Sequence, residues 1–583
     1  MTALPPQTGE DRTPDDVLVF ETAQTTWPHY AQRMAALERA ELSPAGVNAW
    51  LHDWSELSKE AAQTGAVLGL RADLNTADEA AQSALAAYRG EVGPPMMRAG
   101  QVLRRKLLAV QDYTPAPDMV LALRRMQGEA EFYREANVPL EIVHAEQMQR
   151  YAEITGAQTV NFGGELTVPE AEALLGSADR KRRENVWTAM SASREAARPA
   201  LNALMQDLLP IRRQLALNAD LTLPGTQMGD YRAYTWRQLG RVDYTPQDCL
   251  DFHAAVLGEV VPLAAEIMGD KARQLGLDTL RPWDYSRRTA LDPEGRPPLH
   301  PFESAPELEA IAQRVFDALD PELGARFGLM RTGGYLDLAS RQGKMSHAYC
   351  ESLEHADMPF VVMNVVGTSQ DLGVLLHEIG HAFHFMASSR AQPLIWNRWS
   401  PLEFVEVPSM AMEYLALDQL SAAYLPAELE RVRREQLEGS ILFLPWAVQM
   451  DAFQHWLYTQ SAELSIADLD AKWLELDRAY HPWLDWSGLD ERERAGGWQY
   501  YHIFRNPFYY LEYAMCSLGA VDLWRQSRTD KPGTLARYKA ALSLGNTATL
   551  PELYRAAGTQ FRFDAAYLSE LMTFLMNELK GAL

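Results

Sequence analysis

Only one region of this 583-residue chain carries the β-branched density of paired strands: Gly343–Leu353 (GKMSHAYCESL) and Pro359–Gly367 (PFVVMNVVG), divided by the turn-like EHADM. That scarcity limits the fold to a mainly helical architecture with one small hairpin. Helix punctuation is frequent elsewhere. Ser43-Pro44 offers an N-cap followed by a first-turn proline, while Thr76 with Glu79 and Thr167 with Glu170 have the spacing of a capping box. The first two hundred or so residues therefore read as helical hairpins. The charged run Ala178–Trp187 reads as a solvated helix face, and the proline-rich Leu280–Ser304 as an extended surface connection and a weak domain boundary. No fixed-period repeat interrupts this pattern.

Charge narrows the partners. Asp and Glu number 78 against 54 Lys and Arg, a net charge of −24, and the resulting field repels phosphate backbones and anionic lipid. Nucleic acid is not an expected partner. The start of the chain lacks a basic segment followed by an apolar one, and no stretch reads as a membrane span, so a soluble cytoplasmic protein without a membrane partner is expected. Cys249, Cys350 and Cys516 are far apart and show no metal-binding spacing, which fits three buried free thiols.

The expected hairpin runs into GVLLHEIGHAFHF, Gly373–Phe385, an apolar helix-forming stretch holding three histidines and a glutamate. His377 and His381 are four apart and project from one helix face, with Glu378 one step round. This is H-E-x-x-H, in which two histidines hold zinc and the glutamate is the general base toward the attacking water. A buried helix holding these groups without an ion would leave costly polar atoms uncompensated. A catalytic zinc takes three protein ligands, and the segment Pro401–Leu420 offers Glu403, Glu406 and Glu413 as the third. Spacing does not choose among them. Glu403 reads as surface charge, whereas Glu406 and Glu413 share a helix face, so that one suits ligation and the other suits orienting a ligand histidine.

Further on, WQYYHIFRNPFYYLEYAM, Trp498–Met515, crowds tyrosines around His502. Tyr509, Tyr510 and Tyr513 share one face of a helix expected to begin near Pro507, and such donors suit a developing oxyanion as well as an aromatic core. Gly496-Gly497, just before them, reads either as the hinge of a closing loop or as a plain turn.

These segments, with HEIGHAFH, FVEVPSMAMEY, HIFRNPFYYLEYAMCSLGA, YRAYTWRQLGRVDYTPQDC and GYLDLASRQGKMSHAYC, resemble the zinc endopeptidases of the thimet oligopeptidase and oligoendopeptidase F family, most closely its bacterial Pz-peptidase-like branch. The likeness runs from roughly Asn161 to the C-terminus. It implies one Zn²⁺ per chain held by His377, His381 and Glu406, which lies 25 positions after His381 as the family's third ligand does. Glu413 then orients a ligand from outside. Glu378, His502 and Tyr513 carry over as catalytic groups, with Tyr510 or its neighbour Tyr509 as the second phenol. Tyr510 is grouped with the catalytic residues, and Tyr509, His347 and Ala348 with the substrate contacts.

The implied fold is mainly α, two helical lobes flanking a long substrate channel with a small sheet beside a thermolysin-like zinc helix, as in neurolysin. The expected division is an N-terminal helical lobe over 1–200 and a catalytic domain over 201–583, with its core at about 335–520. The implied activity is hydrolysis of internal bonds in short unfolded peptides. An aminopeptidase would need a G-x-M-E-N-like anchor, which is not found. A non-catalytic peptide-binding scaffold would need Glu378 replaced or a fourth ligand, for which His384 is the candidate, although the family does not use that histidine as a ligand.

Overall fold

Helices account for most of the fold, and the sheets are small. The computed structural model describes residues 13–219, 230–285, 296, 298–345, 347–460 and 463–581. The chain divides into two compact units, each assembled from three separated segments. One takes the described residues up to Ala130, Leu299–Leu429 and Gly519–Phe561; the other takes Glu131–Pro298, Glu430–Leu518 and the stretch from Arg562. This differs from the expected division at residue 200, through which a single 40-residue helix, Arg180–Ala219, runs unbroken.

In the first unit the long helix Val47–Leu74 builds a core of Trp50, Leu51, Trp54 and Leu57, and Trp54 meets the Trp396 ring at 4.6 Å between centroids. Its far end buries Val67 and Leu70 against Leu353, Phe360 and Val362 of a three-stranded sheet. The expected hairpin is present as Tyr349–Leu353 antiparallel to Met358–Val365, the first strand starting six residues later than Gly343. A third strand, Leu336–Ala339, pairs parallel to Met358–Val365, leaving Tyr349–Leu353 at an edge. Lys344 ties the parallel pair together, its ammonium bonded to the Asp337 carboxylate at 2.8 Å and to the Asp337 carbonyl at 2.9 Å.

Several expectations are corrected. A second small sheet, Thr159–Asn161 with Glu165–Thr167, was not expected. Thr167 closes the expected capping box with Glu170, but the helix Glu79–Glu91 is capped by Asp78, and Thr76 instead bonds the Gly343 carbonyl. Ser43 precedes the first-turn proline as expected, although its side chain makes no cap bond. Within Ala178–Trp187, Arg183 is buried and pairs with Asp284 at 2.7 Å, beside Arg180 on the same carboxylate. Asp284, Trp283 and Pro282 are therefore buried at the start of a stretch expected to lie on the surface; its residues 286–295 and 297 lie outside the described ones. Two carboxylate oxygens facing two guanidinium groups satisfy a charge that burial alone would penalise. Cys249 and Cys516 are buried and Cys350 is half-buried; all three are free thiols.

Among the described residues one helical run, Pro246–Gln274, is by length and composition apolar enough to cross a membrane, with mean hydropathy 1.3, although charged residues such as Glu259 and Glu266 interrupt it. Half of that window is buried within the protein, where Phe252, Val256, Val260 and Ala264 pack, so burial in protein accounts for its apolarity.

Candidate active site

The helix Ser369–Ala391 carries the H-E-x-x-H segment directly after the sheet. Its start is fixed by Thr368, whose hydroxyl accepts from Asp371 N–H while the Asp371 carboxylate accepts from Thr368 N–H at 2.9 Å. The turn before it needs Gly367, at φ +92°, because a Cβ there would meet the Phe302 carbonyl at 2.9 Å. The helix Leu402–Leu415 supplies the glutamates. The two helices approach at Gly380, where a Cβ would lie 2.5 Å from Ser409 Cα and 2.6 Å from the Pro408 carbonyl oxygen. Tyr538 and Tyr554 hold the outer side of the second helix, donating to the carbonyls of Pro408 at 3.0 Å and Glu403 at 2.7 Å.

That approach brings His377 Nε2 to 3.3 Å and His381 Nε2 to 3.2 Å from one atom, Glu406 Oε2. Ser409 Oγ donates to the same oxygen at 2.9 Å and steadies it. Glu413 Oε1 lies 2.8 Å from His377 Nδ1. A carboxylate there accepts the Nδ1–H hydrogen bond and keeps the proton on Nδ1, so His377 Nε2 can present a lone pair to a cation. Imidazole nitrogens and a carboxylate oxygen then converge on one point, and a divalent cation fits that donor set. Burial opposes a charged His377 ring, yet its bonds to Glu406 and Glu413 outweigh burial and raise its pKa well above the usual value, so a proton and a cation compete for the same Nε2 lone pair. Burial likewise opposes the Glu406 carboxylate, but the charge of His381 and the bonds to both histidines hold its pKa well down.

Glu378 is buried, and desolvation raises its pKa despite the two neighbouring histidines. Its charge, after burial itself, pushes the Cys350 thiol up, which places the edge strand's thiol beside it. Glu403 is corrected from surface charge to a buried position, 2% exposed, outside the converging donors. His384 stands apart as well: its Nε2 bonds Ser400 Oγ at 3.1 Å, and burial then the charge of His381 lower its pKa to about 3. His347 and Ala348 precede the edge strand Tyr349–Leu353 directly.

His502 and the tyrosines cluster in the second unit. The His502 ring stacks on Tyr509 at 6.3 Å and meets Tyr510 edge-on at 4.7 Å and Tyr513 at 6.2 Å. Tyr510 is buried, whereas Tyr509, Tyr513 and His502 are half-buried. Their helix begins at Tyr510 and not near Pro507, because Phe508 adopts φ +65°. Gly496 and Gly497 form a short 3-10 turn pressed on Arg198 and Trp473, where neither has room for a Cβ. Of the two readings, close packing favours the plain turn over the hinge. Sequence reasoning also missed Ser409 and Gly380, although both stand inside the quoted motifs.

Among the described residues, a second group of donors converges at Cys249, Asp451 and His455. Arg232 lies 3.2 Å from His455 Nδ1, and a guanidinium only donates, so the ring proton sits on Nε2 toward Asp451, 3.3 Å away. No imidazole lone pair is left there for an ion.

The first site does keep its lone pairs, and a buried carboxylate flanks them; fold and site together define a metallopeptidase of the H-E-x-x-H type. Residues 173–573 match the family described as Peptidase family M3. The chain belongs to this family, whose members are metallopeptidases. Dipeptidyl carboxypeptidase of Salmonella typhimurium is 24% identical over 67% of this chain and 65% of its own length. Oligoendopeptidase F of Lactococcus lactis subsp. cremoris is 25% identical over 40% of this chain and 39% of its own. The chain thus covers less than two thirds of either curated relative. A solved Pz peptidase A, bound to an inhibitor, is 23% identical with a TM-score of 0.84, covering 95% of this chain and 96% of that one, and shows the shared fold.

Proposed function

We propose that this protein is a zinc-dependent endopeptidase acting on short unfolded peptides. The observation that carries the reading is the convergence of His377 Nε2 and His381 Nε2 on Glu406 Oε2 at 3.3 and 3.2 Å, with the buried Glu378 on the same helix. Two imidazoles and one carboxylate suit zinc and leave a coordination position for substrate or water. When bound, the ion supplies Lewis acidity toward water and the scissile carbonyl.

The residues do the rest. Glu413 keeps the His377 proton on Nδ1. Glu378 accepts the proton of the attacking water and passes it to the leaving amine, and its raised pKa favours holding that proton between the two steps. The edge strand and the adjoining His347 and Ala348 pair with the peptide backbone, which reads few side chains. His502 and Tyr513 donate to the developing oxyanion, each worth about 3 kcal/mol. Partial exposure supports Tyr509 as the second phenol, while the burial of Tyr510 against Phe443 and Tyr500 supports a packing role.

The longer curated match favours a second reading, release of C-terminal dipeptides. A mass-spectrometric product map on a mixed peptide library separates the two. Internal cuts that persist on C-terminally amidated peptides, vanish with a chelator and return with zinc are the expected result. Dipeptides released only from free C-termini would replace it with the second reading.

A further inference from the structure

Phe508 is a bulky residue in left-handed backbone, φ +65°, immediately before Tyr509 and the helix that carries Tyr510 and Tyr513. A Cβ makes that conformation sterically costly, so the surroundings must impose it. They do so at both peptide groups. The Phe508 N–H donates to Gln454 Oε1 at 2.8 Å, and the Phe508 carbonyl accepts from an Arg241 terminal nitrogen at 2.7 Å. The same nitrogen donates its other proton to Glu512 Oε1, also at 2.7 Å. One planar guanidinium therefore bridges the strained turn to the first turn of the tyrosine helix.

This clamp is dry. The Arg241 side chain is 0% exposed and that of Glu512 is 1%. The guanidinium carbon lies 4.5 Å from the Trp236 ring centroid and 5.7 Å from that of Tyr244. The Phe508 ring is boxed by His455 at 5.4 Å, Tyr458 at 5.6 Å and Trp236 at 6.4 Å. Such investment around a single turn exceeds what a helix start requires, since Tyr509 N–H and Glu512 N–H already close the turn onto Asn506 and Tyr509 carbonyls. What the clamp additionally fixes is direction: Tyr509 leaves the strained residue at one end of the bridge and Tyr513 follows Glu512 at the other, and their rings meet at 5.2 Å.

We infer that Arg241 is a positioning residue that sets where Tyr509, Tyr510 and Tyr513 point, by holding Phe508 and Glu512 in one frame. Its effect on turnover rests on the proposal above that Tyr513, with Tyr509, meets the oxyanion. Removing Arg241 alone would strand a buried carboxylate and endanger folding, so the pair is replaced together as R241M/E512M, an apolar exchange that buried ion pairs tolerate. Arg241→Lys is the second variant, since an ammonium keeps the charge without the planar bridge.

Two readouts are needed. With 3-fluorotyrosine incorporated, the ¹⁹F resonances of Tyr509, Tyr510 and Tyr513, assigned by single Tyr→Phe changes, are expected to move or broaden in both variants, while metal content stays normal. Unmoved resonances would overturn the inference. In kinetics, both variants should lose about tenfold in kcat with KM little changed, and Tyr513→Phe should cost markedly less in the R241M/E512M background than in the native one, because both act through the same phenol. Equal cost in the two backgrounds would also overturn it. Moved resonances with a fully active Tyr513→Phe enzyme would uphold the clamp and overturn instead the role given to the phenols.

Discussion

Glu378→Gln replaces the proton acceptor by an amide of the same shape and leaves His377, His381 and Glu406 intact. It is expected to retain stoichiometric metal by elemental analysis and lose at least about a hundredfold in kcat, the scale of general-base catalysis. Glu406→Gln should reverse the pattern and release the ion under mild chelation, because a neutral amide replaces the charged donor. A quieter residue predicts a pH effect. His144 accepts from Arg212 Nε at 3.2 Å, and burial, then the charge of Arg212, lowers its pKa to about 4. The folded ring stays neutral while the unfolded one protonates below about pH 6.5, so the unfolded chain binds more protons in that window. Stability must therefore fall as pH drops from about 6.5 toward 4, by at most about 2 kcal/mol between pH 7 and pH 5 from this group. Denaturant midpoints of His144→Gln should show a smaller acid loss than those of the native protein. The H-E-x-x-H pair was legible because its spacing is local, whereas spacing left Glu403, Glu406 and Glu413 open. Only the likeness to known sequences singled out Glu406, and folding then buried Glu403. Arg241 was illegible, since its partners Phe508 and Glu512 lie 267 and 271 positions away.

The site exists because two helices touch at Gly380. Gly380→Ala would push a methyl group into the backbone at Pro408 and Ser409, which cannot yield as a flexible side chain would. The helix Leu402–Leu415 would move away from the histidines and take Glu406 with it. We expect a drop in thermal stability of about 1–3 kcal/mol together with weaker metal binding, read by calorimetry and by competition with a chromophoric chelator. Gly373→Ala, on the same helix with open space around its Cβ position, serves as the control and should leave metal binding unchanged while raising stability by up to about 1 kcal/mol. The helices and the hairpin could be read from capping residues and alternating apolar positions because those signals are written within a few residues. The strand Leu336–Ala339 could not: it is four residues long, and its parallel pairing with Met358–Val365 is settled by a partner more than twenty residues on. Thr76 failed as a cap for a related reason, since a carbonyl 267 residues away competes for its hydroxyl.

At the scale of the whole molecule, the metal-site unit is assembled from three stretches of chain separated by those of the other unit. No local signal marks this arrangement, because interleaving is decided by which helices share a core and not by any boundary signal. The last stretch, Gly519–Phe561, carries the Tyr538 and Tyr554 hydroxyls that support the glutamate helix from behind. On a ribosome the order of events follows. The H-E-x-x-H motif is made about two-thirds of the way along the chain, yet its backing is the last part of the unit to be synthesised, so a nascent chain holds the histidines for more than a hundred residues before the core around them can close. A chain ending at Leu518 should emerge aggregation-prone and fail to bind metal stoichiometrically, although every proposed ligand is present; supplying Gly519–Phe561 as a separate polypeptide during refolding should restore solubility and metal binding. A copy that stops at Leu518 would then be disarmed by its own topology, and peptidase activity would appear only once Gly519–Phe561 is in place.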